Sequence, residues 1–489
     1  MTQDTSQKTS TDDAMLPGER RAVFSLASIY ALRMMGLFMI LPVFSLYAHT
    51  LEGYTPALIG LAIGIYGLTQ AALQIPFGMA SDRFGRKPVI ILGLLIFAIG
   101  SVVAASADTM SGVILGRALQ GAGAIAAAVM ALVADLTREE KRLGAMAVIG
   151  MSIGVAFAVS LVAGPLFNSW IGVDGIFWLT AVLALVAIGV LYFIVPNPVR
   201  STLHRDAETV PAQLKNVIRD PQLLRLDFGI LSLHSMLTAT FVVLPLALRD
   251  YAGLATDHHW YVYLPVMVLA MLVMIPFIVI AEKKRRMKTV FSASVLTLGI
   301  GELIFMLDYD SVTGIVLGLF IFFTAFNVLE ASLPSLVAKV VSPDNKGTAM
   351  GVYSSSQFIG AFIGGVLGGW LYGAYGFEAV FGLCAGISSV WFLVAATMQS
   401  PRYLSSHLVR VGPVDAARAR QLVGELTQVT GVAEAVVIPE DGIAYLKVDL
   451  HALDREALKA FAVSDEAVDN ADMKTAVGEQ ATAGHSTHN

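Results

Sequence analysis

The chain has 489 residues, of which 56% are hydrophobic and only 14% charged, with a formal net charge of −5. A soluble globular chain carries about a quarter charged residues, so this deficit excludes an ordinary soluble protein and points to a membrane protein. Of the 32 basic and 37 acidic residues, 8 and 13 lie after Ser400, leaving 24 of each before it; the negative excess sits in the C-terminal segment and argues against nucleic acid or an anionic lipid surface as its partner.

In chain order, residues 1–20 are polar, lack a signal-peptide pattern and are expected to be a disordered cytoplasmic N-terminus. Twelve apolar stretches follow, each near the length of about 20 residues that a bilayer-crossing helix needs: 22–48, 56–80, 88–106, 110–135, 143–168, 174–196, 224–250, 259–281, 289–307, 311–340, 346–373 and 377–398. The fold class expected is an all-α membrane protein of twelve transmembrane helices in two pseudo-symmetric six-helix bundles, 21–196 and 223–400, joined by a cytoplasmic linker at 197–222. Lys and Arg gather in the amino terminus and in every second loop, while the other loops offer only Arg249. Positive-inside then puts both termini in the cytoplasm.

The halves repeat. LVADLTREEKRLGAMAV at 132–148 aligns without gaps to LVAKVVSPDNKGTAMGV at 336–352, and PFGMASDRFGRKPV at 76–89 to PFIVIAEKKRRMKT at 276–289. An offset of about 200 residues in a membrane chain means two equivalent halves.

Beyond Pro401 the patterning turns soluble. HLVRVG alternates like a strand, VDAARARQLVGELTQ has helical spacing, VAEAVVIPEDGIAYLKVDL reads as two strands about a turn, and LDREALKAFAV is helical. The order resembles a small α+β ferredoxin-like unit over 405–463 without a clear last strand. Its first loop, GPVDA, has no cysteine, which disfavours the metal-carrying use of that fold. A regulatory or dimerisation module remains, followed by a disordered tail at 464–489, where His485 and His488 are too few for a metal tract. The lone Cys384 lies in an apolar run, so no disulfide, metal site or cofactor is expected.

An ionisable group at a helix centre costs about 2.5–3.5 kcal/mol on insertion scales, which makes each one a functional hypothesis. Arg33 lies roughly 16 Å into span one at 1.5 Å per residue, too deep for easy snorkelling, and reads as a cavity or pairing residue. Arg117 and Gln120 lie in span four, where snorkelling competes for Arg117. His234 in span seven reads as a packing residue or a proton relay. Asn327 and Glu330 share a face of span ten, and Glu330 either pairs with Arg33 or carries a proton. Asp227 is expected to be solvated, and Glu302 lies on a span assigned little role. The glycine run at 360–373 reads as close packing.

The loop Gly78-x-x-x-Asp82-Arg83-Phe84-Gly85-Arg86-Lys87 exceeds what topology requires, because acidic residues contribute little to orientation. It resembles the signature loop of the major facilitator superfamily, between its second and third helices. Arg117-Ala-Leu-Gln120-Gly121 resembles the family's RxxQG motif, Gly164-Pro165 part of its antiporter motif, and GLFMILPVF at 36–44 the first helix of its drug-efflux branch. The glycines expected after Gly164-Pro165 are replaced by LFNSW. The resemblance covers nearly the whole chain and implies a bacterial inner-membrane transporter. It also implies that the loop is a latch. Asp82 would dock on the start of helix eleven in an outward-open state, with Arg86 and Asp135 as its partners and Gly78, Arg83 and Gly85 shaping it. Spans one, four, seven and ten would line the cavity, which makes Arg33, Arg117, Gln120, His234, Asn327 and Glu330 the proton and substrate candidates.

No GxxxxGK[ST] phosphate loop appears, so the drive expected is the proton gradient. The leading reading is an efflux antiporter of small amphipathic solutes, its partners being solute, protons and the bilayer. Proton-coupled uptake is the alternative within that class; a membrane sensor signalling through the C-terminal unit is the alternative outside it. No nucleophile–base constellation supports an enzyme.

Overall fold

The computed structural model describes residues 15–197, 213–342, 345–400, 404–412, 414–439, 442–449 and 452–462. The membrane unit runs α1 (Pro17–Phe38), α2 (Phe44–Tyr47), α3 (Pro56–Phe84), α4 (Arg86–Ala105), α5 (Met110–Ala122), α6 (Ala126–Leu136), α7 (Glu139–Phe193), α8 (Leu214–Arg219), α9 (Pro221–Asp250), α10 (Trp260–Lys283), α11 (Met287–Asp308), α12 (Val312–Val340), α13 (Lys346–Tyr375) and α14 (Phe377–Ala396). Among the described residues, eleven helical stretches are long and apolar enough to cross a membrane. The twelfth span is inside α7, where spans five and six run together across Gly172, whose φ of 71° and ψ of 176° break the helix.

Local chemistry places the helix starts. Thr55 accepts from the Leu58 amide ahead of Pro56, Thr109 from Gly112, Ser311 from Gly314, and Asp220 from Gln222 and Leu223 ahead of Pro221. Each hydroxyl or carboxylate satisfies an amide that has no partner in the first turn, and the prolines sit where an amide is not needed. α3 stops at Gly85, whose φ of 92° suits glycine.

Two expectations need correction, and the linker gains a detail. α1 begins at Pro17, inside the stretch expected to be disordered, because Glu19 at its start is buried and bonded to Arg138. Span four is not one helix: it breaks between α5 and α6, where Gly123 lies against the Gly93 carbonyl. Part of the linker is helical, as α8; its residues 198–212 and the tail at 464–489 lie outside the described residues.

In the first half, α1, α4, α6 and α7 share a buried apolar cluster around Leu26, Ile90, Leu94, Val129 and Leu132. The C-terminal unit has its own core. Its strands β1 (Ser405–Arg410), β2 (Val432–Ile438) and β3 (Ile443–Val448) form an antiparallel sheet in the order β1-β3-β2, the order of the first three ferredoxin-like strands, with no fourth strand among the described residues. α15 (Ala416–Thr427) and α16 (Arg455–Lys459) pack Leu422, Leu426 and Leu458 against Val409, Ala444, Leu446 and Val448 of the sheet.

Candidate functional site

The signature loop forms a network centred on Arg86, which is buried. Its guanidinium donates to Asp135 at 3.1 Å through Nε, and through Nη1 to Ser81 at 2.9 Å and to Asp82. Asp135 comes from the end of α6 and has no exposed side-chain surface, whereas the Asp82 side chain is 39% exposed. Gly78 turns its bare face to α6, where an added Cβ would lie 3.1 Å from that of Ala127. Arg83 is exposed over the Phe84 ring and stays out of the network. Asp82 bonds Arg86 and not the start of α13. Lys87 donates to the Val195 carbonyl at 2.6 Å, which places a cation at the C-terminal end of α7.

The second half repeats this arrangement with one charge reversed. In the register of the repeat, Lys339 takes the place of Asp135 and Glu282 that of Asp82. Lys339 Nζ lies 2.7 Å from Glu282, and Ser335 donates to the same carboxylate at 3.1 Å. The loop cation is therefore not needed as an intermediary there. The ungapped alignment carried this signal; Ser81 and Ser335 are partners that only the structure identifies.

At the other end of the bundle the halves meet along α3 and α13. A Cβ on Gly64 would lie 2.9 Å from the Phe362 carbonyl oxygen, and one on Gly369 would lie 2.6 Å from that of Pro56. Gly60 with Gly365 and Gly67 with Phe358 approach closely in the same way. The opposite face of α13 lays Gly360, Gly364 and Gly368 against Leu231, Ser235 and Ala239 of α9. The glycine run is therefore the close-packing element expected, and it serves two interfaces.

The ionisable candidates fall into two separate groups. In the first half, Arg33 and Arg117 are each 1% exposed. Arg33 donates to Gln70 at 2.5 Å and lies over the Tyr66 and Phe97 rings. Arg117 donates to the Ala62 carbonyl at 3.3 Å and to Gln120 at 2.8 Å, and also lies over the Tyr66 ring. Gln120 passes the chain on to Ser101. Snorkelling is excluded for Arg117 by this burial. In the second half, Gln357 on α13 bridges His234 of α9, at 2.8 Å, and Glu330 of α12, at 3.4 Å. His234 Nε2 is 3.9 Å from the other Glu330 oxygen, which has no hydrogen-bond partner; the Asn327 amide nitrogen is likewise unpartnered.

Of the two readings of Glu330, pairing with Arg33 is not seen among the described residues: Arg33 is spent on Gln70 in its own half and Glu330 on Gln357 in the other. Asp227 is not solvated but buried, with one carboxylate oxygen unpartnered. Glu302 is wholly buried and accepts from Thr240 at 2.8 Å. An acidic residue in an apolar span was the signal for it, and the contact with α9 is what sequence reasoning missed.

Comparison with known proteins agrees with this architecture. The family model described as Major Facilitator Superfamily matches residues 26–289 and 268–412. The chain is 47% identical over 444 residues to the inner membrane transport protein YajR of Escherichia coli, covering 91% of this chain and 97% of that protein. It is 26% identical over 347 residues to the multidrug resistance protein MdtH of Yersinia enterocolitica, covering 69% and 83% of the two chains. Among solved structures, a bacterial homolog of the human lysosomal transporter Spinster superposes with a TM-score of 0.63 at 15% identity, covering 78% of this chain and 96% of that one. The twelve-helix fold, the loop network and these matches together make the chain a member of the major facilitator superfamily, a multi-pass membrane transporter.

Proposed function

We propose that the chain couples the proton gradient to the export of small amphipathic solutes by alternating access, with the Asp82 loop and both termini on the cytoplasmic side. The observation that carries proton coupling is the His234–Gln357–Glu330 cluster. A Gln357 amide that donates to both neighbours needs an unprotonated acceptor on His234 Nε2 and an acceptor oxygen on Glu330. A proton arriving on Nε2 removes that acceptor and leaves a charged N–H 3.9 Å from the unpartnered Glu330 oxygen. The cluster then rearranges, and it joins three helices of the second half. Proton binding thereby biases one arrangement of those helices over another.

The interface between the halves supports alternating access. The closest approaches of α3 and α13 run from Pro56 to Gly67 on one helix and from Phe358 to Gly373 on the other, while Gly78 and Asp82 make no such approach to α13. This is a conformation closed away from the loop. In the opposite conformation the loop side closes, and the exposed Asp82 carboxylate reaches the positive N-terminal end of α13. Arg86, Asp135, Ser81, Gly78 and Gly85 hold the loop for that contact. Export is supported by the efflux-type first helix and the Gly164-Pro165 remnant, and by the multidrug resistance name of the MdtH relative.

The test uses everted membrane vesicles energised to a proton gradient and followed with a pH-sensitive dye, with cationic, neutral and anionic amphiphiles added in turn. Solute-dependent proton release from wild-type vesicles, lost in Asp82→Asn, is the expected result. Silence from wild-type vesicles across all three classes retires the export reading.

A further inference from the structure

In the first half two buried cations, Arg33 and Arg117, have no counter-ion among the described residues. Its acidic residues are Glu19, Glu52, Asp82, Asp108, Asp135, Glu139, Glu140 and Asp174, all at helix ends or in loops rather than in the middle of a span. Among the described residues Arg33 and Arg117 form no ion pair, and the partners they have are a glutamine each, one backbone carbonyl and aromatic rings. Their bonding is also incomplete. Nε and Nη1 of Arg33, Nη2 of Arg117 and Nε2 of Gln70 are buried donors without an acceptor. Both guanidiniums lie on the Tyr66 ring, at 5.8 Å and 5.2 Å from its centre. The two positive charges, each with unspent donors, therefore lie about one ring.

Water can take up spare N–H groups, but it cannot balance two charges in a low-dielectric interior. The group that satisfies both demands is an anion with several acceptor oxygens, for which guanidinium is the matching donor. Glu330 does not serve, since it belongs to the His234–Gln357 cluster of the other half. The walls add a second requirement. Tyr66, Phe97 and, 6.3 Å from the Tyr66 ring, Phe358 are aromatic. From this juxtaposition we infer that Arg33 and Arg117, with Gln70, hold the anionic group of an organic solute, a carboxylate or phosphate carried on an apolar or aromatic body. Gln120 and Ser101 are positioning residues that fix Arg117. The inference rests on the transport reading for the anion's role as cargo, and it narrows the amphipathic solutes to anionic ones. Phe358 belongs to the seam between the halves, so a solute beside it is released when that seam opens.

The experiment is thermal unfolding of the full chain in phosphatidylcholine nanodiscs, titrated with inorganic phosphate, acetate and benzoate, and with acetamide and benzamide as uncharged counterparts. At least one anion raises the wild-type midpoint by about 2 °C or more while its uncharged counterpart does not. The rise is lost in Arg33→Gln and in Arg117→Gln. Without any added anion, Arg33→Gln unfolds at the same or a higher temperature than the wild type, because an uncompensated charge has gone. A second set of discs containing phosphatidylglycerol identifies the source: stabilisation there, lost in the same variants and absent with soluble anions, assigns the site to a lipid headgroup. The inference is overturned if no anion outperforms its uncharged counterpart and anionic lipid adds nothing, or if Arg33→Gln and Arg117→Gln both respond as the wild type does. Binding needs no flux. Anion binding without proton release in vesicles therefore sinks the proton-coupled export reading alone, and proton release without anion binding sinks this inference alone.

Discussion

Gly60 and Gly365 bring helices from opposite halves into backbone contact: a Cβ built on Gly365 would sit 2.5 Å from the Gly60 carbonyl oxygen, and one on Gly60 would overlap the Gly365 carbonyl. Backbone cannot step aside as a flexible side chain can. A side chain at either position forces α3 and α13 apart, and inserting methylenes into a closed interface costs about 1–3 kcal/mol.

Gly365→Val is therefore expected to depopulate the conformation closed away from the loop and to lower solute flux about tenfold or more, the equivalent of about 1.4 kcal/mol. Gly189→Val is the control, because nothing lies within 4 Å of that position. Flux in reconstituted vesicles measures both; equal loss in the two variants would show that the seam has no special role.

Asp82 and Asp135 share Arg86 but differ in burial, and their substitutions should separate. Removing one partner of a buried pair costs about 3–5 kcal/mol, so Asp135→Ala should unfold at a much lower temperature than wild type. The Asp82 side chain is 39% exposed, and an exposed pair is worth about 0–1 kcal/mol. Asp82→Asn should keep near wild-type stability and still lose transport. Thermal unfolding beside flux checks this, and a parallel loss of both in Asp82→Asn would make the loop a structural element only.

The Glu302–Thr240 contact predicts a non-additive pair. Thr240→Val leaves the Glu302 carboxyl with no donor, at a cost of about 1–3 kcal/mol, whereas replacing both by apolar groups of similar shape can be nearly neutral. Thr240→Val combined with Glu302→Met should therefore be more stable than Thr240→Val alone. A thermal-unfolding double-mutant cycle measures the coupling. A double variant that falls by the sum of two losses would instead give Glu302 a further partner in the folded protein.

In the C-terminal unit, Arg418 donates to Glu425 at 2.8 Å and Gln421 donates to the same oxygen at 2.8 Å. The Arg418 bond, ahead of the weaker effect of Gln421, holds the Glu425 carboxyl below its ordinary range. The bond thus stabilises the fold above the ordinary glutamate value, and this contribution is lost as pH falls through the lower folded value. An NMR titration of residues 402–489 should find Glu425 titrating below its ordinary value of 4.5 and returning toward it in Arg418→Ala. No movement in that variant would mean the bond is not kept in solution.

Much of this molecule was legible in one dimension because the bilayer enforces it. Helices must satisfy their own backbone in lipid, so apolar length alone located the spans, and charge placement predicted which loops share a side. The signature loop was equally legible, because Asp82, Arg86 and the two glycines are close in sequence. What failed were pairings over distance. Glu330 and Arg33 carry opposite charge and lie on cavity-lining spans, which made their pairing reasonable, yet Gln70 and Gln357 intercept them. Composition cannot say that a neutral amide stands nearer than the opposite charge. Asp227 was misjudged for the same reason, since burial depends on which helix covers a face.

The sequence by itself therefore determined the spans, the repeat and the residues that carry charge into the membrane, because these follow from local hydropathy and from chain-order symmetry. Only the tertiary structure decided which charges meet. It left Arg33 and Arg117 without a counter-ion among the described residues and gave Lys339 to Glu282, because such contacts depend on helix rotation and on which glycines let two backbones touch.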